Sequence, residues 1–107
     1  MLRKIEAAAA HLAALHATSF PDPWSKQAIC DLLAGPGVFV FSTADGFVMG
    51  RAAGDEAEIL TLAVKPDARG KGLGRSLIQG LALHAQTLGA ASLFLEVGHD
   101  SPAALAL

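Results

Sequence analysis

The chain has 107 residues, 52% of them hydrophobic and 17% charged, with a mean hydropathy of +0.44. That is enough for one domain, and too apolar and too weakly charged for intrinsic disorder. A net charge of −2 argues against a bulk electrostatic nucleic-acid binder, and a single cysteine, Cys30, excludes an internal disulfide or a cysteine zinc site and fits a reducing, cytoplasmic setting.

Ile5, Ala8, Leu12 and Leu15 recur at helical spacing and predict an amphipathic helix ending near Ala17. Glu6, His11 and His16 interrupt the apolar run that a secretory signal would need. Phe20-Pro21-Asp22-Pro23-Trp24 follows as a loop. Ser25 is an N-cap for a second helix through Leu33, stopped by Gly35-Pro36-Gly37. Cys30 on that helix reads as a small core residue. Val38 to Ser42 and Phe47 to Ala53, joined by Ala44-Asp45-Gly46, predict an antiparallel hairpin. A third strand from about Glu58 to Lys65 ends at Pro66.

The turn Gly70-Lys71-Gly72-Leu73-Gly74 then opens a long helix with the stripe Leu73, Leu77, Leu81, Ala85 and Leu88, and Gly89 ends it. Ser92 to Val97 is a buried strand. No residue from Ser76 to Leu95 carries a formal charge, but Gln79, His84, Gln86, Gly89 and Ser92 divide the stretch. A helix followed by a strand fits it better than a membrane span, and no membrane association is expected. Ser101-Pro102 has the form of an N-cap and first helical residue, so Ser101 to Leu107 predicts the start of a further helix, cut after about one and a half turns. This order gives an α/β domain whose last two predicted strands are parallel across a helical crossover.

A strand, a glycine turn and a helix form a ready-made anion site, and Arg69, Lys71 and Arg75 add positive charge around it. A P-loop would need Gly-Lys-Ser/Thr where Gly74-Arg75-Ser76 stands, and the dinucleotide fingerprint lacks its third glycine. Neither nucleotide reading survives.

Arg69-Gly70-Lys71-Gly72-Leu73-Gly74, preceded by Ile59-Leu60-Thr61-Leu62-Ala63-Val64-Lys65-Pro66, resembles the Arg/Gln-x-x-Gly-x-Gly/Ala pyrophosphate loop of the GCN5-related N-acetyltransferases (GNAT). The order of elements agrees. Phe20-Pro21-Asp22-Pro23-Trp24-Ser25 and Leu93-Phe94-Leu95-Glu96-Val97 are most similar to the Phe-Pro-Trp-Ser loop and Leu-Trp-Leu-Glu-Val strand of the RimI-type ribosomal-protein alanine N-acetyltransferases. The resemblance implies a mixed sheet with helices on both faces, its last two strands splayed. The chain then ends inside the family's next helix and before its final two strands, as one C-terminally incomplete domain over 1–107.

By the same resemblance, acetyl-CoA is the co-substrate and no metal is needed. Leu62, Ala63 and Val64 would offer backbone groups to its pantetheine arm. Gly70, Lys71, Gly72, Leu73, Gly74 and Arg75 would hold the pyrophosphate, and Ser101 stands where a cofactor-contacting Asn is common. Trp24 would line the groove of the acceptor, a protein or peptide N-terminus. Glu96 matches the base that takes the proton from the attacking amine, and burying a carboxylate in an apolar strand would raise its pKa toward a useful value. Glu58 is the alternative base, and His99 reads as a solvated loop residue. The family's tyrosine general acid would fall one position past Leu107, and the chain itself has no tyrosine. Two readings follow: an N-acetyltransferase of protein N-terminal amines, or a catalytically weak CoA-binding or interaction module. In either, the uncovered edge of Ser92 to Val97 is expected to pair with another chain, giving a homodimer.

Overall fold

A computed structural model describes residues 2–96 and 102–106, with side chains described from 7 to 95. The chain runs α1 (Leu2–Ala17), α2 (Lys26–Leu33), β1 (Val38–Ser42), β2 (Gly46–Ala53), β3 (Glu56–Val64), a 3-10 turn (Pro66–Ala68), α3 (Leu73–Thr87), β4 (Ser92–Glu96) and β5 (Pro102–Ala106). One sheet holds the strands in sequence order. β1, β2 and β3 are antiparallel, β3 and β4 parallel, and β4 and β5 antiparallel.

Alternation along β2 divides the core between the two faces of the sheet. Phe47 and Met49 join Ala9, Leu12, Leu15 and Ile29 beneath α1 and α2, whereas Val48 joins Leu77, Leu81, Ala85 and Leu93 beneath α3. Helices therefore cover both faces, as expected. Ser25 caps α2, its Oγ accepting the Ala28 N–H at 3.0 Å. Gly50 provides the flat spot on which α3 rests: a Cβ there would stand 2.8 Å from Leu81 Cδ1 and 3.1 Å from the Glu58 carbonyl oxygen.

Two stripe positions differ from the periodicity. Ala9 rather than Ala8 is buried on α1, in phase with Leu12 and His16, and Leu88 ends α3 about half exposed, beyond the stretch that lies on the sheet. The larger difference is at Pro102–Ala106, which forms a strand and not the predicted helix, paired along the whole of β4 from Ser92↔Ala106 to Glu96↔Pro102. The far edge of β4 offers a row of unpaired backbone groups, and pairing with it satisfies the backbone of this segment. Pro102 is tolerated as the first residue of the strand. The β4 edge expected to meet another chain is therefore taken by this chain's own β5. Val97, His99, Ser101 and Leu107 lie outside the described residues.

Candidate functional site

β3 and β4 pair only at their beginnings, Glu56 to Glu58 against Ser92 to Phe94. Just beyond, β3 carries a bulge: Gly50 on β2 faces Ile59 and Met49 faces Thr61, leaving Leu60 without a partner. A bulge bends its strand and sharpens the local twist, which turns β3 away from β4 where the pairing stops. Past Glu58, the β3 backbone groups on the β4 side are in no ladder, so an extended ligand could lie along them. The gap is a cleft of about 350 Å³ lined by Phe20, Ile59, Leu60, Thr61, Leu62, Ile78 and Leu95.

β3 leads from this cleft into the glycine turn. Gly70 and Gly72 have φ of +79° and +83°, a region closed to most side chains, and Gly72 is the N-cap of α3. A glycine cap has no side-chain acceptor, so the first N–H groups of α3 are left for a ligand; the earliest helical bond at this end is Ser76 N–H to the Gly72 carbonyl, 3.0 Å. A Cβ on Gly74 would lie within 4 Å of Val64 and Leu62, which places the turn directly beside a cleft-lining residue. Lys71 and Arg75 are exposed around it. Arg69 is engaged within the protein: its Nε donates to the Val64 carbonyl at 3.0 Å and its Nη2 to Ser19 Oγ at 3.1 Å.

Of the residues singled out from sequence, Leu62 lines the cleft, Ala63 is buried toward α1, and Val64 packs on the α3 side. Glu96 ends β4 beyond its last pairing with β3, next in the chain to the cleft-lining Leu95. Glu58 sits at the opposite end of β3, hydrogen-bonded and ion-paired to Arg51 across the β2–β3 ladder. Trp24 is half-buried against the α1–α2 core, stacked on His16. The loop residue that enters the cleft is Phe20, which stands first in the Phe-Pro-Trp-Ser-like loop but had no role assigned from sequence. Ile59, Leu60, Thr61 and Leu95 lie in runs expected to be strands and Ile78 lies off the expected stripe of α3, and only the splay turns them into a lining. Among the described residues no group of three His, Cys, Asp or Glu could hold a metal ion, and no helix is long and apolar enough to cross a membrane.

The family model for the acetyltransferase (GNAT) family matches residues 9–107. The chain is 34% identical over 89 residues to the ribosomal protein bS18-alanine N-acetyltransferase of Salmonella typhimurium, covering 79% of this chain and 60% of that one. Against the Escherichia coli enzyme of that name the identity is 43% over 53 residues, covering 50% of this chain and 36% of the relative. The crystal structure of the ribosomal-protein-S18-alanine N-acetyltransferase from Escherichia coli superposes with a TM-score of 0.71 at 26% identity, covering 88% of this chain and 62% of that chain. The chain thus spans less than two thirds of the length of each of these three relatives.

Proposed function

Because the chain belongs to the acetyltransferase (GNAT) family, we propose that it moves an acetyl group from acetyl-CoA to a protein N-terminal amine, such as that of an alanine-initiated ribosomal protein. Such an acceptor would place the reaction in the cytoplasm. The observation that carries the reading is the bulged, splayed β3 running straight into an uncapped helix N-terminus with two glycines at positive φ. The first part suits an extended, mostly apolar arm with amide groups, and the second suits a pyrophosphate.

When bound, acetyl-CoA supplies an acetyl group already activated as a thioester, so the amine attacks directly and no nucleophilic side chain is required. The chain's own residues bind, orient and move a proton. Leu62, Ala63 and Val64 present backbone groups along the cleft, and the N–H groups from Gly70 to Arg75 hold the pyrophosphate, with Lys71 and Arg75 adding screened positive charge. Ser101 contacts the cofactor and Trp24 helps shape the approach of the acceptor. Glu96 accepts the proton that the amine must lose before it attacks. Glu58 is a poor alternative because Arg51 neutralises it at the paired end of the strands.

Calorimetric titration with acetyl-CoA and thiol release with an alanine-initiated peptide test this. Glu96→Gln should lower turnover by about 10² to 10⁴ while changing acetyl-CoA affinity by less than about threefold. A variant with unchanged turnover removes Glu96 from the base role, and a chain that fails to bind acetyl-CoA overturns the reading altogether.

A further inference from the structure

With β5 laid along β4, the open pairing edge of the sheet is found at its other side, on β1. β1 stands first in the strand order, with β2 as its neighbour. The β1–β2 register runs without a shift, and its two ends give the parity: Ala52 N–H donates to the Gly37 carbonyl at 2.9 Å, and Thr43 N–H to the Gly46 carbonyl at 2.8 Å. Odd-numbered residues from Gly37 to Thr43 therefore turn their backbone groups toward β2. The N–H and carbonyl groups of Val38, Val40 and Ser42 turn outward, and among the described residues they have no partner.

Edge strands are ordinarily guarded by a charge, a proline or a bulge. Val38-Phe39-Val40-Phe41-Ser42 has none of these, and no formal charge occurs between Asp31 and Asp45. Side chains follow the pleat. Val38 and Val40 pack on the α1–α2 side, whereas Phe39 and Phe41 lie half-buried on the α3 side, edge-on to each other at 6.4 Å and to His84 at 4.9 and 5.6 Å. Beside Phe41 is a groove of about 220 Å³, lined also by Leu73, Leu77 and Gly80. Leu83, three residues on from Gly80 and 65% exposed, extends the apolar ground along α3.

Such a strand is complementary to itself. When a second copy lies antiparallel with the two-fold axis at Val40, Val40 meets Val40 and Val38 meets Ser42, all with outward backbone groups, in hydrogen-bonded pairs. Phe39 then meets Phe41 of the second copy in the closer, non-hydrogen-bonded pairs, where aromatic side chains touch. A slip of two residues would keep one of these two Phe–Phe pairs. Pro36, without an N–H, ends the ladder at Val38. The contact is uncharged, so chains of net charge −2 meet there without opposing like charges. We infer that β1 is the interface of a two-fold dimer of this chain, in which Val38–Ser42 of two copies pair to make one continuous sheet. The inference is independent of the acetyl-CoA reading, since β2 separates β1 from the cleft beside β3. Five residues at about 3.4 Å, with a helix layer about 10 Å deep on each side, offer roughly 350 Å² per copy. Stable interfaces bury about 600 Å² or more per partner, so the expected dissociation constant is on the order of 100 µM.

Sedimentation equilibrium from about 10 µM to about 1 mM should show the mass rising from 10.9 kDa to nearly twice that value. Over the same range, amide exchange at Val38, Val40 and Ser42 should slow by about fivefold, while Phe39 and Phe41, bonded to β2, stay equally protected throughout. Val40→Pro removes the outward N–H at the axis and leaves the β2 ladder whole, a change that edge strands accept, and it should weaken dimerisation by about tenfold or more. Should that variant fail to fold, the exchange pattern of the wild-type chain decides alone. A chain still monomeric at about 1 mM, a dimer whose protection falls on β5 or elsewhere, or outward amides already protected in the dilute monomer each overturn the proposal. So does a folded Val40→Pro variant that dimerises like the wild type.

Discussion

At the end of β3 the Val64 carbonyl accepts from Arg69 Nε at 3.0 Å and Ser19 Oγ at 3.4 Å, while Arg69 also donates to Ser19. Three segments meet on one oxygen: the strand, the turn before α3, and the loop after α1. Arg69→Ala should therefore lower stability by about 1 kcal/mol, the worth of a charged hydrogen bond discounted for exposure. Lys71→Ala, with its side chain in solvent, should leave the thermal midpoint unchanged and weaken acetyl-CoA binding severalfold, more at low salt than at high. Melting curves and calorimetric titrations of the two variants separate a structural cation from a ligand-facing one. His16 supplies a second expectation. Burial lowers its pKa from the ordinary 6.5, so the unfolded chain takes up a proton at a pH where the folded chain does not. The stability that this difference contributes is complete above pH 6.5, and it is lost as pH falls from there toward the lower folded value. Urea midpoints measured from about pH 8 down to about pH 5 should decline over that interval, and His16→Asn should flatten the decline.

The elements set by local pattern match the structure closely. Ser25 begins α2 because its hydroxyl caps the helix, and α3 starts at the glycine turn and ends before Gly89, at φ +95°. The hairpin and β4 fall within a residue of expectation. What the pattern cannot carry is pairing. Ile59-Leu60-Thr61-Leu62 is a nearly continuous apolar run, so nothing in it marks Leu60 as the bulged residue; that follows from which β2 residues stand opposite. The entry of Phe20 into the cleft depends likewise on where α1 delivers the loop. At Ser101-Pro102 the local signal favours helix, while the β4 edge draws Pro102–Ala106 into a strand. The ladder satisfies backbone groups that a single helical turn leaves open. Appending about ten strong helix formers after Leu107 should turn Pro102–Ala106 helical and free the β4 edge. Backbone chemical shifts would show the change, and an extended chain that keeps β5 would mean that the β4 edge, not length, governs the segment.

Across the whole molecule, α3 joins the proposed ligand site to the core: its N-terminus would face the pyrophosphate, while Leu77, Leu81 and Ala85 seat it on the sheet. The N–H groups of the turn can meet a pyrophosphate only if α3 stands at the right height above β3, and that height is set at Gly50, where Leu81 approaches the β2 backbone. Gly50→Val would put a branched side chain where even a Cβ is 2.8 Å from Leu81. The helix must lift or Leu81 must leave its rotamer, at about 1 to 3 kcal/mol. Because the lift also separates the α3 N-terminus from Leu62 and Val64, acetyl-CoA affinity should fall in folded protein by more than tenfold. Gly80 is the control. It lies on the same helix, where an added Cβ would meet no heavy atom within 4 Å and φ is not positive, so Gly80→Ala should raise stability by up to about 1 kcal/mol and leave affinity unchanged. Titrating both variants well below their melting midpoints distinguishes displacement of the helix from loss of folded protein. Wild-type affinity in folded Gly50→Val would show that the turn binds independently of how α3 is seated.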